Sequence, residues 1–320
     1  MKKQTYDKCP VHMTSIGGQA VIEGVMMRGP AQIATAVRKS DGSIVMDKKP
    51  VNSFVVKYKL NKIPILRGVV SFVESLVTGM KCLMYSADQM DLEEDDDTYK
   101  PSKFETWLEN KFGDKIKDIA IYFAVVVAIF FSIGLFMLLP NALAHIVAIF
   151  TDNRVVLNLS EGLIRMLIFL CYMLLVSRMK DIQRVFEYHG AEHKVIATYE
   201  SGAELTVENA RQHSRLHPRC GTSFLLIVMV VSIVVFSFLK WGVMWKNLLF
   251  RLVLMPVVAG ISYEIIKFAG KSKNRCVRWL TMPGLWLQKI TTREPDDSQL
   301  EVAIESIKAV IPENKEDDKW

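Results

Sequence analysis

Four of the six histidines and one of the five cysteines lie between positions 189 and 220. His189 and His193 are four residues apart, so a helix would place both imidazoles on one face, about 6 Å apart at Cβ. Two imidazoles at this spacing can chelate one metal ion, and Glu192 completes the string His-x-x-Glu-His, the inverted zinc-protease pattern. His217 and Cys220 form a His-x-x-Cys pair, a spacing typical of zinc sites. We therefore predict a site for zinc or another divalent transition metal, with His189, His193, His217 and Cys220 as candidate ligands.

Glu192 has the residue type and the position of a catalytic group in this pattern. A carboxylate beside a metal-bound water can take its proton as a general base. The competing interpretation is that the histidines are ordinary polar residues of a loop. Pro218 disfavours the α conformation at His217, so we expect that histidine in a turn that also delivers Cys220. The ligand set stays open between three and four residues.

The elements that must position these residues are largely apolar. Half of the 320 residues are hydrophobic, and they are clustered in stretches with few or no charges. An apolar stretch of about 20 residues can cross a bilayer as a helix, whereas one of about 15 also suits a buried core helix. We predict an α-helical integral membrane protein with about four transmembrane helices, of which the second is the shortest. The predicted helices are 119–139, 162–177, 223–239 and 248–268.

The distribution of Lys and Arg predicts the orientation of these helices. The loop 178–222 holds seven basic residues, whereas the loop 140–161 has only Arg154. Because basic loops stay on the cytoplasmic side, we expect a multi-pass protein of the plasma (inner) membrane with cytoplasmic termini and a cytoplasmic His/Cys loop. The net charge of +6 belongs to this topology, so we expect the lipid bilayer, and no nucleic acid, as a partner. The scattered, odd number of cysteines argues against a disulfide framework.

Outside the membrane helices we predict three further segments. Residues 1–62 are expected to form a small β-rich unit, because Ser40-Asp-Gly42 between apolar stretches is a hairpin signal. Residues 63–118 combine an amphipathic helix, lying on the membrane or packed on the helical bundle, with an acidic linker. Residues 119–268 form the membrane domain, and 269–320 form a cytoplasmic tail.

Several charged residues are secondary candidates for the site. Glu23 and Arg28 stand in an apolar stretch, where they form an ion pair or turn contact, or else face the site. Glu264 lies about one turn from the cytoplasmic end of the fourth predicted span, where a carboxylate is paired or functional. Lys267 is its expected partner if the role is structural, and the His/Cys loop is its expected neighbour if the role is functional. Arg219, next to Cys220, is a further candidate.

Three motifs together resemble a known bacterial family over nearly the whole chain. They are residues 17–30, residues 188–194 continuing through 217–224, and residues 283–288 with 291–297. The chain resembles the YqhQ family, membrane proteins that carry a domain of unknown function. The resemblance implies a metal-dependent enzyme, and the family pattern includes His189, Glu192, His193, His217 and Cys220. No substrate carries over from the resemblance.

Three functions are compatible with these observations. The leading hypothesis is a membrane zinc hydrolase with a cytosol-facing site, acting on a peptide, amide or ester, with a membrane protein or peptide as substrate. If His217 and Cys220 both bind, the site is closed and structural, and the protein is a membrane scaffold or assembly factor. A transporter is the third hypothesis, and the lack of a visible inverted repeat disfavours it.

Overall fold

The computed structural model describes residues 11–90, 115–239, 243–271 and 275–319. Over these ranges the chain is mostly helical, with one small antiparallel sheet near the N-terminus. It divides into two compact units that interleave along the chain, whereas the predicted domains follow one another. The first unit comprises the described parts of Met1–Asp91, Cys171–Val235 and Val253–Trp320, and the second those of Leu92–Leu170 and Phe236–Leu252. All of the predicted site residues belong to the first unit.

The sheet of the first unit is a four-stranded meander, in the order β1-β2-β3-β4. Its strands are β1 (Gly17–Val21), β2 (Gly24–Arg28), β3 (Gln32–Arg38) and β4 (Ile44–Pro50). The turn between β3 and β4 contains Gly42 with φ +84°, a left-handed conformation that glycine adopts without steric cost. The predicted small β-rich unit and its hairpin at Ser40-Asp-Gly42 are confirmed.

Helices make up most of the remaining described chain. A 3₁₀ turn occupies Leu60–Lys62, and a π-helical turn, Gly134–Leu138, joins α3 to α4. The helices are α1 (Phe54–Lys57), α2 (Leu66–Gln89), α3 (Lys115–Ile133), α4 (Leu139–Val147), α5 (Arg154–Val176), α6 (Lys180–Glu200), α7 (Val207–Gln212), α8 (Gly221–Ser237), α9 (Met244–Lys271), α10 (Arg275–Thr291) and α11 (Asp297–Lys308).

Both faces of the sheet are covered by helices. Because side chains alternate along a strand, Val25 and Ala36 belong to one face, and Met26 and Val37 to the other. The first face packs against α6 and α11, which contribute buried residues such as Ala191. The second face packs against α2. The helix that carries the histidines is thus fixed directly on the sheet.

Four helical segments among the described residues are long and apolar enough to cross a membrane, by length and composition. They are Leu66–Gln89, Phe123–Val147, Arg154–Val176 and Trp245–Ala269. The helix of the second predicted span therefore starts earlier than position 162, and its 23 residues are enough in length to cross a bilayer. The third predicted span corresponds to α8, whose 17 residues are fewer than in those four helices. By length and composition, α2 stands among the four segments where α8 was predicted. Its packing on the sheet distinguishes α2 from the other three.

A charged network lies in the interior of the second unit. The buried carboxylate of Glu161 accepts hydrogen bonds from Arg165 at 2.7 Å, from Asn141 at 3.0 Å and from Arg251. Both guanidinium groups also lie over the ring of Phe236, each at 5.6 Å from its centroid. Paired in this way, charges in apolar helices avoid the cost of isolated burial.

Candidate metal centre

Helix α6 forms the base of the candidate site. Tyr188 and Val195 are fully buried on its sheet-facing side, and this burial fixes the rotation of the helix about its axis. The helix ends at Glu200, and Gly202 follows with φ +74°, a left-handed conformation common just after a helix C-terminus. Held in this way, α6 presents His189, Glu192 and His193 from a rigid element.

Three side chains converge beside α6. His189, His193 and Cys220 each offer one ligand atom, and these atoms all lie within 4.8 Å of one another. Nε2 of His189 is 3.2 Å from Sγ of Cys220, and the two imidazole centroids are 4.4 Å apart. His193 and Cys220 are buried. We call these three residues the triad. Its donors are two imidazole nitrogens and a thiol, the set that zinc prefers.

Backbone carbonyl groups orient both imidazoles of the triad. Nδ1 of His189 donates to the carbonyl oxygen of Thr291 at 2.9 Å, and Nδ1 of His193 donates to that of Arg215 at 2.6 Å. A carbonyl oxygen only accepts, so each Nδ1 carries the proton and each Nε2 is the nitrogen available to an ion. Nε2 of His193 is buried and has no hydrogen-bond partner within the described part of the chain. Such an unsatisfied buried atom fits a metal ligand.

Gly190 allows the main chain that follows α10 to reach His189. A Cβ at this position would lie 2.0 Å from the carbonyl oxygen of Arg293, which no side chain tolerates. At the same place the Arg293 amide donates to the carbonyl oxygen of Phe186 at 2.8 Å. The glycine next to the first histidine therefore permits a close approach that brings the Thr291 carbonyl to the imidazole.

Cys220 lies at the N-terminal end of α8, where helix amides favour a negative charge. The Thr222 amide donates to Sγ at 3.4 Å. Burial alone would raise the pKa of the Cys220 thiol, but His193 and His189 outweigh burial and hold that pKa well below its usual value. For His189, burial lowers the pKa. The Cys220 thiolate, with smaller contributions from Glu192 and the Thr291 carbonyl, outweighs burial and raises that pKa to about 9. The site thus stabilises a thiolate, which is the form that binds metals.

Glu192 lies behind the triad and against β1. Its side chain is buried, and its carboxylate accepts a hydrogen bond from the Gly18 amide. A Cβ at Gly18 would lie 2.7 Å from the Met26 carbonyl oxygen of β2 and 2.9 Å from both Cγ and Cδ of Glu192, so a glycine is needed at this point of β1. The second oxygen, Oε2, is buried and has no partner among the residues that the structure describes. Burial raises the pKa of Glu192, and His189 and His193 offset only part of that rise.

His217 is adjacent to the triad but is not part of it. Its ring centroid is 5.6 Å from that of His193, and its Nε2 lies 3.5 Å from Oε2 of Glu200. Arg219, a secondary candidate, pairs with the same carboxylate. Glu200 also accepts the Thr14 amide at 2.9 Å. His217 and Arg219 therefore hold the turn that carries Cys220, and the geometry favours Cys220 over His217 as the third ligand.

Gln288 fixes the same turn from α10, a contact that sequence analysis missed. Its side-chain oxygen accepts the His217 amide at 2.8 Å, and its Nε2 donates to the His217 carbonyl oxygen at 2.7 Å. One turn earlier, a Cβ at Gly284 would lie 2.5 Å from Oγ of Ser223. The sequence feature that could have indicated this contact is the four-residue spacing of Gly284 and Gln288, which puts both residues on one face of a helix.

The remaining secondary candidates pair outside the triad. Glu23 is held at φ +49° and pairs with Arg184 and with the hydroxyl group of Tyr188, at 3.1 Å. Arg28 pairs with Glu74 at 3.5 Å, so among the described residues these two candidates each have a different partner. Glu264 accepts a two-pronged hydrogen bond from Arg67, with Nε 2.6 Å from Oε1. The main partner of Glu264 is therefore Arg67 of α2, neither Lys267 alone nor the His/Cys loop.

These features define a helical protein with apolar helices of membrane-spanning length and a His-His-Cys triad whose two histidines lie on a sheet-packed helix. The chain belongs to the family described as "Protein of unknown function (DUF1385)", whose profile matches residues 63–313. It is 38% identical over 301 residues to the "Uncharacterized protein YqhQ" of Bacillus subtilis (strain 168), covering 92% of each chain. No solved structure matches it.

Proposed function

We propose that this protein is a membrane-embedded, metal-dependent enzyme, a zinc hydrolase whose site faces the cytosol. The observation that carries the proposal is the triad of His189, His193 and Cys220, with both imidazoles held through Nδ1 and a buried, unsatisfied Nε2 on His193. An arrangement in which outer contacts fix the tautomer and leave Nε2 available is characteristic of metal-ligating histidines.

In this proposal the three ligands and Glu192 have different roles. Three protein ligands leave a fourth position, where zinc lowers the pKa of bound water to about 7. His189, His193 and Cys220 would hold the ion, and Glu192 would accept a proton through its unsatisfied Oε2. The Gly18 amide fixes the other end of this carboxylate. Hydrolysis of a peptide, amide or ester bond is the reaction class that this combination supports.

A structural zinc site in a scaffold or assembly factor is the second candidate. A closed site needs a fourth protein ligand, and His217 is the nearest histidine to His193. Its Nε2 is directed at Glu200, and both its backbone groups bond Gln288. Recruiting His217 would break these contacts, so the described geometry supports three ligands better than four.

The membrane setting of the enzyme is part of the proposal. The basic loop 178–222 carries the triad, and the helices on either side of it, α5 and α8, are apolar. The positive-inside rule then puts the site and both termini in the cytosol, at the inner face of the plasma membrane. A membrane protein or a membrane-bound peptide is the substrate that this location favours.

The substitution Glu192→Gln tests the enzyme against the scaffold. Glutamine keeps the size of the side chain but cannot take a proton, so the enzyme should retain its zinc and fold while losing 10²–10⁴-fold of its rate, by order of magnitude. The measurements are zinc content of the purified variant and its ability to replace the wild-type gene in cells. A scaffold predicts normal replacement by Glu192→Gln and failure of Cys220→Ala. If a zinc-loaded Glu192→Gln protein fully replaces the wild-type protein in cells, the hydrolase proposal is wrong.

A further inference from the structure

One face of α2 is covered by the rest of the first unit. A Cβ at Gly68 would meet Tyr263 of α9 at 2.8 Å, and one at Gly79 would meet Gln19 of β1 at 2.2 Å. Between these two points Phe72 contacts Phe224 of α8, with ring centroids 5.5 Å apart. The helix therefore packs on α8 and α9 through its first half, and on the sheet through its second half.

The opposite face of α2 is apolar and exposed. Its residues, which we call the α2 ridge, are between 42% and 57% exposed: Leu66, Val73, Leu76, Val77 and Met80. Positions seven apart fall on one face of a helix, so Leu66, Val73 and Met80 form a line about 21 Å long. An exposed apolar surface of this length in a folded protein indicates a contact with a membrane or another protein.

The segment that precedes α2 extends the ridge and adds positive charge. Phe54, Val56 and Tyr58 are more than half exposed, at 55%, 71% and 59%. Exposed lysines stand beside them at positions 57, 59 and 62. Aromatic residues with neighbouring lysines are typical of segments at the headgroup level of a bilayer, where the lysines meet anionic lipids.

The second half of α2 argues against a helix that crosses the bilayer, although its length and composition allow one. The Ser86 hydroxyl accepts the Ile22 amide at 3.2 Å, and Nζ of Lys49 lies 6.0 Å from the ring centroid of Tyr85. A crossing would carry this side of the sheet, with its strand ends and lysines, into hydrocarbon, where no water can satisfy unpaired backbone groups.

From these observations we infer that the α2 ridge is a membrane-interface anchor that lies in the plane of the bilayer, in the leaflet on the side of the sheet. The occupant is the lipid surface, because α2 packs on Tyr263 of α9, and Ile65 just before α2 packs on Gly260 of α9, a helix of membrane-spanning length. The α2 ridge thus continues an apolar helix surface that the bilayer would also cover. This inference does not depend on the metal or on the hydrolase.

Depth measurement with a fluorescent label tests the inference on the full chain in liposomes. Single cysteines replace Leu66, Val73 or Met80 in a background in which Cys9, Cys171 and Cys276 are serine, while buried Cys82 and Cys220 remain. Each cysteine carries an environment-sensitive dye, and lipids with a nitroxide at a shallow or a deep acyl position quench it. Glu305→Cys on α11, which packs on the opposite face of the sheet, is the matched control. The background protein without an introduced cysteine reports any labelling of the native thiols.

We expect the shallow nitroxide to quench all three ridge positions to a similar extent, and to quench more than the deep one, with no quenching at position 305. A crossing helix would place the three labels at depths that differ by up to about 21 Å, so a gradient along the helix would overturn the inference. Absence of quenching at all three positions would also overturn it, and would assign the ridge to a second copy of the chain or a soluble partner.

Discussion

At the scale of single residues, the site depends on close approaches that only glycine permits. Gly18 and Gly17 are neighbours in β1, but a Cβ at Gly18 would meet the Met26 carbonyl oxygen of β2 at 2.7 Å and Glu192 at 2.9 Å, whereas a Cβ at Gly17 would meet nothing within 4 Å. Gly18 therefore positions the proposed general base, and Gly17 is a control with the same local conformational change.

We expect Gly18→Ala to displace Glu192 and lower the activity to that of Glu192→Gln, while His189, His193 and Cys220 keep their zinc. Gly17→Ala should behave as wild type in both respects. The measurements are the zinc content of each purified variant and its ability to replace the wild-type gene in cells. The Gly18→Ala/Glu192→Gln double variant is measured in the same way. If Gly18 acts through Glu192, the double variant loses no more than either single one. An additional loss in the double variant would contradict this role.

His217 and Cys220 have different roles at the scale of single residues. Cys220 offers its sulfur to the triad, whereas Nε2 of His217 faces Glu200. We therefore expect Cys220→Ala to release the zinc, because one of three ligands is lost. His217→Ala should keep about one zinc per chain, with a lower melting temperature from the lost contact with buried Glu200. Equal zinc loss in the two variants would return His217 to the ligand set.

At the scale of elements, the sequence predicted what repeats along a helix or strand but missed contacts between distant segments. The spacing of His189 and His193 predicted a shared helix face, and both residues lie on α6. No pattern could show that the carbonyl groups of Thr291 and Arg215 hold these imidazoles, because every residue has such a group. The partner of Glu264 was missed for a similar reason, since Arg67 lies 197 residues earlier in the chain.

The segment after α10 gives a prediction at this scale. In Gly190→Ala the new methyl group would displace the Arg293 carbonyl, now 2.0 Å from that position, and with it the Thr291 carbonyl that orients His189. Loss of such an outer contact lowers metal affinity by roughly 10–100-fold. Gly221→Ala, next to Cys220 but with nothing within 4 Å of its Cβ, is the control. Competition with a zinc chelator measures both, and wild-type affinity in Gly190→Ala would contradict the expectation.

At the scale of the whole molecule, composition predicted four apolar helices of membrane-spanning length, and three of them correspond to such segments among the described residues. The sequence predicted the helix in 63–118 as an amphipathic helix apart from the four spans, whereas by length and composition α2 is itself a candidate span. Its packing on the sheet is a tertiary property that no sequence pattern shows. Part of the acidic linker lies outside the described residues. The orientation stays a prediction from the Lys and Arg distribution.

The orientation can be tested at two exposed positions. Phe150 follows α4, and Glu204 lies between α6 and α7. We expect a membrane-impermeant thiol reagent to label Phe150→Cys in intact cells and to label Glu204→Cys only after the cells are opened, because the loop 178–222 is rich in Lys and Arg. Labelling of Glu204→Cys from outside would contradict both the orientation and the cytosolic location of the site.

The metal is the central claim, and elemental analysis of the purified, folded protein in detergent tests it most directly. The triad predicts about one zinc per chain in the wild-type protein. It also predicts loss of that zinc in His193→Ala, which removes the buried Nε2 that has no partner in the described chain. A folded wild-type protein with no stoichiometric transition metal, or a His193→Ala protein that keeps its full zinc content, would contradict the account.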